Sequence, residues 1–270
     1  MSVRNNVVIH SDSGTASTLY ARAAGLIESL FPGTEAVDAS QNFEKGNIPQ
    51  VSAYLFTTVP FWPDGTVFLS LCGSGDPVAV YLESGSVIIS PNNGTATMCT
   101  GAFGMREVRM VDVSRYGSDE WAIVRCAAAV AAGAGPDEVG RPAADGEAVF
   151  LSVPKARISK GLAEGEIGMV LRTFGNLTFT IGTDEFEDTG IRHGDPVRVT
   201  ITRGGDVLYR EDMTFQPSFG YVPLGEPVVF NGSSGYMDIG LNMKSFVELC
   251  LPQVLDAEDL SEFKVRIELI

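Results

Sequence analysis

From Val7 onward the chain alternates short β-branched or apolar runs with longer stretches whose apolar positions recur at helical spacing. Residues 7–9 read as a strand. Residues 17–30 follow as a helix, with Leu19, Ala23, Leu26, Ile27 and Leu30 near one face and Pro32-Gly33 as its stop. The same logic gives strands at 35–37, 66–71, 86–90 and 108–113, and helices at 49–59 and 119–132. Strands alternating with helices predict a largely parallel sheet with both faces covered. Such sheets bind ligands beyond the carboxyl ends of their strands, so the loops after the strands are where chemistry is expected.

Residues 132–147, AGAGPDEVGRPAADGE, shift to Gly, Pro, Ala and acidic residues and read as a linker. Beyond it the texture changes. Short strands at 166–171, 177–181, 197–202, 207–209, 228–230, 236–239 and 265–269 are separated by Gly, Asn and Asp turns, which predicts a small all-β barrel or sandwich. The expected organisation is an α/β domain over 1–142 and an all-β domain over 143–270.

Charge narrows the partners. The 270 residues hold 19 Lys plus Arg against 34 Asp plus Glu, a formal charge of −15. Binding a phosphate backbone needs a concentrated basic face, so nucleic acid is not an expected partner. The four cysteines, Cys72, Cys99, Cys126 and Cys250, form no CxxC pair and have no nearby His, so no metal site and no dense disulfide framework is expected. The start, MSVRNN, lacks the apolar core of a signal peptide, and no run approaches the roughly 20 apolar residues that span a bilayer. The longest candidate, 126–135, is mostly Ala and Gly and reads as a close-packed helix. A cytoplasmic protein without membrane contact is expected.

Four segments could carry chemistry. Ser11-Asp12-Ser13-Gly14-Thr15 joins the first strand to the first helix. Its carboxylate could accept hydrogen bonds from a vicinal diol such as a ribose, or it could cap the helix. His10 beside it is either an acid or base, or a strand-end residue with a satisfied hydrogen bond. Ser90-Pro91-Asn92-Asn93-Gly94 could present backbone groups to a ligand or form an ordinary turn. In Phe174-Gly175-Asn176 the ring could stack on a flat base and the amide could read its edge, or the segment is a loop with a core Phe. Asn231-Gly232-Ser233-Ser234-Gly235-Tyr236 is polar and flexible and precedes a strand.

The order of these landmarks resembles that of the S-adenosylmethionine hydrolases (hydroxide adenosyltransferases) and their relatives, the fluorinases and chlorinases. The T-D-x-G opening is matched by Ser11-Asp12-Ser13-Gly14, a V-D segment by Val37-Asp38, and an F-P-x-G-T-V strand entry by Trp62-Pro63-Asp64-Gly65-Thr66-Val67. Ser90-Pro91-Asn92-Asn93-Gly94 stands for A-P-[DN]-N-G, and Tyr116-Gly117-Ser118-Asp119 for [HY]-[GS]-x-[DE]. Phe174-Gly175-Asn176 and the late Gly232-Ser233-Ser234-Gly235-Tyr236 complete the series, so the likeness covers nearly the whole chain.

The resemblance implies a trimer in which the first domain of one subunit and the β-barrel of its neighbour share an active site. It implies that Asp12 holds the ribose hydroxyls and belongs to the nucleophile site. Tyr116 and Gly117 would wall the nucleophile pocket, and Asn92, Phe174, Asn176, Ser233, Tyr236 and Asn242 would contact the substrate. Chemistry in the family is substitution at the ribose 5′ carbon with methionine as leaving group and water or halide as nucleophile. S-adenosylmethionine is then the substrate, and neither a cofactor nor a metal is called for.

The chain departs from the pattern at three places. The hydrolases carry D-P-G-V-G-S-x-R where this chain has Leu71-Cys72-Gly73-Ser74-Gly75-Asp76-Pro77, and a His where it has Tyr116. Tyr116-Gly117 looks like the chlorinase version, in which the Gly leaves space for halide, yet the halogenase Tyr-Pro-x-Thr loop is missing. Leu171 stands where an acidic residue would anchor the ammonium of methionine. A Leu cannot supply that charge-assisted bond, worth roughly 1.5 to 3 kcal/mol, so adenosine binding is better supported than methionine binding. The expected activity is that of an adenosine-forming S-adenosylmethionine hydrolase; the alternatives are a chloride-using halogenase and an inactive adenosyl-binding protein.

Overall fold

The computed structural model describes residues 6–257 and 259–270. Residues 1–5, on which the expected lack of a leader partly rests, lie outside the described residues. The chain divides into two compact units at Leu151 and Ser152.

In the first unit, β1 (Asn6–Ser11), β2 (Glu35–Ser40), β3 (Val67–Leu71), β4 (Pro77–Leu82), β5 (Val87–Pro91), β6 (Met105–Val111) and β7 (Gly140–Pro142) form one sheet in the order β2-β1-β3-β5-β4-β6-β7. The first four strands of that order run parallel, and β4 runs antiparallel to both β5 and β6. Val7, Val8 and Ile9 are all fully buried because the sheet is covered twice. On one face Val7 and Ile9 pack with Leu69 and Ile89 against α1 (Leu19–Leu30) and the later helix Ala122–Ala131. On the other, Val8, Phe68 and Ile88 meet α2 (Ile48–Thr58) and α3 (Thr97–Phe103). The remaining helices are α4 (Val113–Tyr116), α5 (Ala122–Ala131) and α6 (Pro136–Val139). Small side chains let α5 sit close to the sheet: Cys126, Ala127, Ala128 and Ala131 are all buried.

The Gly/Pro/Ala segment expected as a linker is built into this unit. Pro136 opens α6, the Glu138 carboxylate accepts from the Gly135 N–H at 2.8 Å, and β7 pairs with β6. Gly140 is required there, because a Cβ would collide with the Met110 carbonyl. β4 and α3 lie where no element was expected. PVAVYL is a continuous apolar run without alternation, as suits a strand buried on both faces.

The second unit contains β8 (Arg157–Ser159), β9 (Leu162–Leu171), β10 (Asn176–Gly182), α7 (Thr183–Glu187), β11 (Pro196–Arg203), β12 (Asp206–Gln216), β13 (Pro227–Asn231), β14 (Tyr236–Leu241), α8 (Phe246–Cys250) and β15 (Phe263–Leu269). All seven expected strands are present. The order β10-β14-β13-β12-β11-β15-β9 closes through a β9–β10 pairing into a seven-stranded barrel, with β8 added outside β9. A closed ring with an odd number of strands cannot be antiparallel throughout, and the one parallel pair is β12–β13. Their connection, residues 217–226, is correspondingly long. Alternate residues fill the interior: Leu177, Phe179 and Ile181 from β10, Val197, Val199 and Ile201 from β11, Met237 and Ile239 from β14. Among the described residues no helix is long and apolar enough to cross a membrane.

Candidate functional site

β1 ends at Ser11 and its chain turns through Gly14, which has φ +82°. The turn is tied to residues 38–41. Ser11 donates its hydroxyl to Gln41 Oε1, Gln41 donates to Asp38 Oδ1 at 3.0 Å, and the Gly14 N–H donates to the Gln41 carbonyl at 2.7 Å. Asp12 does not cap α1, which begins seven residues later. Its Oδ2 instead accepts from the backbone N–H groups of Gly46, at 2.9 Å, and Gly73, at 3.1 Å. Two fixed amides thus hold one carboxylate oxygen, and Oδ1 takes no hydrogen bond among the described residues.

Gly73 connects Asp12 to a cleft of about 450 Å³ beyond the carboxyl ends of β3 and β5, walled by Leu19, Leu71, Pro77, Pro91, Trp121 and Ile123 with Asp119 and Glu120 at its edge. Gly73 is tightly fitted: a Cβ would lie 2.8 Å from Ile48 Cδ1 and 2.9 Å from Asn93 Nδ2. Asn93 fixes the loop by donating to the Cys72 carbonyl at 3.0 Å. Asn92 is used differently. It donates to the Glu147 carbonyl at 2.9 Å and accepts from the Val149 N–H at 2.7 Å, so its amide fastens the end of the unit to the turn. Asp119 holds Arg125 through two bonds of 2.6 and 3.0 Å, and the Arg22 guanidinium lies over the Trp121 ring at 4.4 Å.

Tyr116 ends α4 and Gly117 caps it. The Tyr116 ring packs against the α1/α5 face of the core and its hydroxyl donates to the Glu138 carbonyl at 3.1 Å; burial pushes it up to about 12. The open side of Gly117 is already filled, since a Cβ would stand 2.7 Å from Arg125 Nη1. That guanidinium also donates to the Tyr116 carbonyl at 2.9 Å.

His10 is only 1 % exposed, and its Nδ1 has no partner. Its expected satisfied hydrogen bond is therefore missing at that nitrogen. Burial lowers it to about 4, with Asp38 opposing. Its register neighbour Ser70 on β3 is also buried with an unpartnered hydroxyl.

In the second unit Phe174 stands on the β9–β10 turn, 63 % exposed, with its N–H bonded to the Leu171 carbonyl at 3.0 Å. It is therefore not a core residue. Gly175 packs onto Ser245, and the buried Asn176 amide fills the space that a side chain at Gly240 would need. Asn242 donates to the Val222 carbonyl at 2.6 Å and fastens the 217–226 connection. Ser233 is exposed on the β13–β14 loop, which the Gly232 N–H closes on the Tyr236 carbonyl at 2.9 Å. Asn176 and Asn242 thus sit toward one end of the β10–β14 pair. Tyr236, paired with Gly182 and six residues from Asn242, lies at the other, about 20 Å along the strand.

One residue of interest was not singled out from the sequence. Asp238 is 4 % exposed on the outer face of β14, and burial raises it to about 7, the Thr178 hydroxyl opposing. An acid between Met237 and Ile239 in an apolar strand is the signal that marks it. Among the described residues no group of three or more His, Cys, Asp or Glu side chains is placed to hold a metal ion.

Comparison with known proteins agrees with the two-unit fold. A family model described as SAM hydroxide adenosyltransferase N-terminal domain matches residues 7–140, and one described as the C-terminal domain of the same family matches residues 169–255. A fluorinase from Actinopolyspora mzabensis is 26% identical, covering 88% of this chain and 91% of its own. A fluorinase from Actinoplanes sp. (strain N902-109) is also 26% identical, covering 87% and 90%. Among solved structures, an uncharacterized conserved protein from Thermotoga maritima superposes with a TM-score of 0.80 at 23% identity, over 97% of this chain and 99% of that one. A conserved hypothetical protein from Thermus thermophilus gives 0.71 at 23% identity over the same shares. These two show the fold.

Proposed function

Because this chain belongs to the SAM hydroxide adenosyltransferase family, we propose that it binds S-adenosylmethionine and hydrolyses it to adenosine and methionine. The observation that carries this is the presentation of Asp12. Two backbone amides hold Oδ2, leaving Oδ1 for the ribose diol beside a largely apolar cleft at the end of a parallel sheet. In the reaction a water oxygen forms a bond to C5′ and loses a proton, while the C5′–S bond breaks and its electron pair stays on sulfur. The sulfonium is already a good leaving group, so the protein's task is to align the nucleophile and strip it of water.

On this reading the protein works as a cytoplasmic homotrimer, with the exposed Phe174 of a neighbouring copy stacking on the adenine. Halide is the competing nucleophile, since two relatives are fluorinases. It is disfavoured by the Arg125 guanidinium, which fills the space beside Gly117 and is already paired with Asp119.

Incubating the purified protein with S-adenosylmethionine, with and without chloride, is expected to yield adenosine in both cases. Asp12→Asn is expected to lower that yield at least about a hundredfold through the lost charge-assisted bonds. A 5′-chloro product replaces the hydrolase with the halogenase; tight binding without turnover replaces it with the inactive binder. The absence of both binding and product overturns the proposal.

A further inference from the structure

We propose that Asp238 is a positioning residue for the 232–236 loop, a carboxyl that seats the loop while neutral and unseats it when ionised. This rests on reading that loop, with Ser233 and Tyr236, as part of the adenosyl-substrate site.

The geometry starts with contact. Gly232 sits directly on the carboxyl, for a Cβ there would lie 2.6 Å from Asp238 Cγ and 2.7 Å from Oδ1. Only a glycine lets the loop lie this low. Asp238 is flanked in register by Thr178 on β10 and Phe230 on β13, both buried. The Thr178 hydroxyl lies close enough to favour the ionised form, although neither Thr178 Oγ1 nor Asp238 Oδ1 makes a hydrogen bond of ordinary geometry. The Ser234 hydroxyl on the same loop is likewise buried without a partner.

A carboxylate in this position would be an anion without a countercharge. β10 and β13 carry no charged residue. The short helices packed against β14 bring only Asp184, Glu185 and Glu187 from α7 and Glu248 from α8, and none of them acts on Asp238. Glu185 instead accepts from the Gly182 N–H and adds to the raised state of Tyr236. Burial therefore governs Asp238, and its carboxyl changes charge at about pH 7. Ionisation draws water to the carboxylate, and the lowest-lying cover to be displaced is the Gly232 turn.

The test follows backbone amide exchange in the ligand-free protein between pH 5.5 and 8.5, corrected for intrinsic base catalysis. The Gly232 and Gly235 amides, bonded to Tyr236 and Gly232 carbonyls, are expected to lose protection above pH 7. Asp238→Asn should abolish the step, and Thr178→Val, which removes the hydroxyl favouring ionisation, should move it to higher pH. Calorimetry with adenosine should show affinity falling up to about tenfold from pH 6 to pH 8 in the unaltered protein and staying level in Asp238→Asn. A missing step, a step retained in Asp238→Asn, or a level adenosine affinity in the unaltered protein overturns the proposal. The expected exchange pattern with no adenosine binding at any pH overturns only the substrate reading of the loop and leaves Asp238 as the residue that seats it.

Discussion

Each of the two units buries a titratable side chain bearing an unpartnered polar atom, His10 in the first and Asp238 in the second, and these two respond to pH in opposite directions. His10, at the end of β1, is lowered to about 4 because burial disfavours its cation. Asp238, on β14, is raised to about 7 because burial disfavours its anion. For His10 the folded value lies below the unfolded one, so its contribution is complete above about pH 6.5 and is lost as pH falls toward 4. For Asp238 the folded value lies above the unfolded one, so its contribution is complete below about pH 3.8 and is lost as pH rises through 7. One physical cause, desolvation, thus makes the first unit sensitive to acid and the second to base. Neutral groups are what both interiors accept.

The largest expected effect tests the base-sensitive half. Asp238→Asn should reduce the stability difference between pH 4 and pH 8.5 by about 4 kcal/mol. Urea unfolding at the two pH values measures it, and an equal shift at both would break the contrast. His10→Phe is the counterpart. It should stabilise the protein at pH 5 by about 2 kcal/mol relative to its effect at pH 8, read from melting curves at each pH. A smaller effect separates titration from packing. Gly117→Ala should cost about 1 to 2 kcal/mol at every pH, because it strains a residue with φ +91° and pushes Arg125 aside. A pH-dependent loss in that variant would show that the Arg125–Asp119 pair belongs to the acid response too.

The elements written most clearly in the sequence are those with a period. β10, β11 and β15 alternate apolar and polar residues, and all seven barrel strands were legible between their turns. β4 was not, although the equally apolar β3 and β5 were: PVAVYL has no alternation of its own and is separated from β3 by only residues 72–76. β7 is three residues of a Gly/Pro-rich stretch, and its place depends on how closely Gly140 approaches β6. Within the site, Asp12 was legible as a carboxylate on a crossover loop, but its partners Gly46 and Gly73 lie 34 and 61 residues away. The use of Asn92 as a fastener for residues 147–149 is equally a long-range fact. Gly117 shows the limit from the other side: the missing side chain was visible, but not the guanidinium that occupies its place.

Closing seven strands into a ring uses up the backbone donors and acceptors that a sheet otherwise leaves along its rim. In the second unit such a rim persists at the added strand β8, three residues long and opening on Arg157 with Lys160 just beyond, and along residues 206–213 of β12, which pair only with β11. A foreign strand that tried to zip onto β8 would find a short template between two cations, so at that edge brevity and charge together guard against runaway self-association.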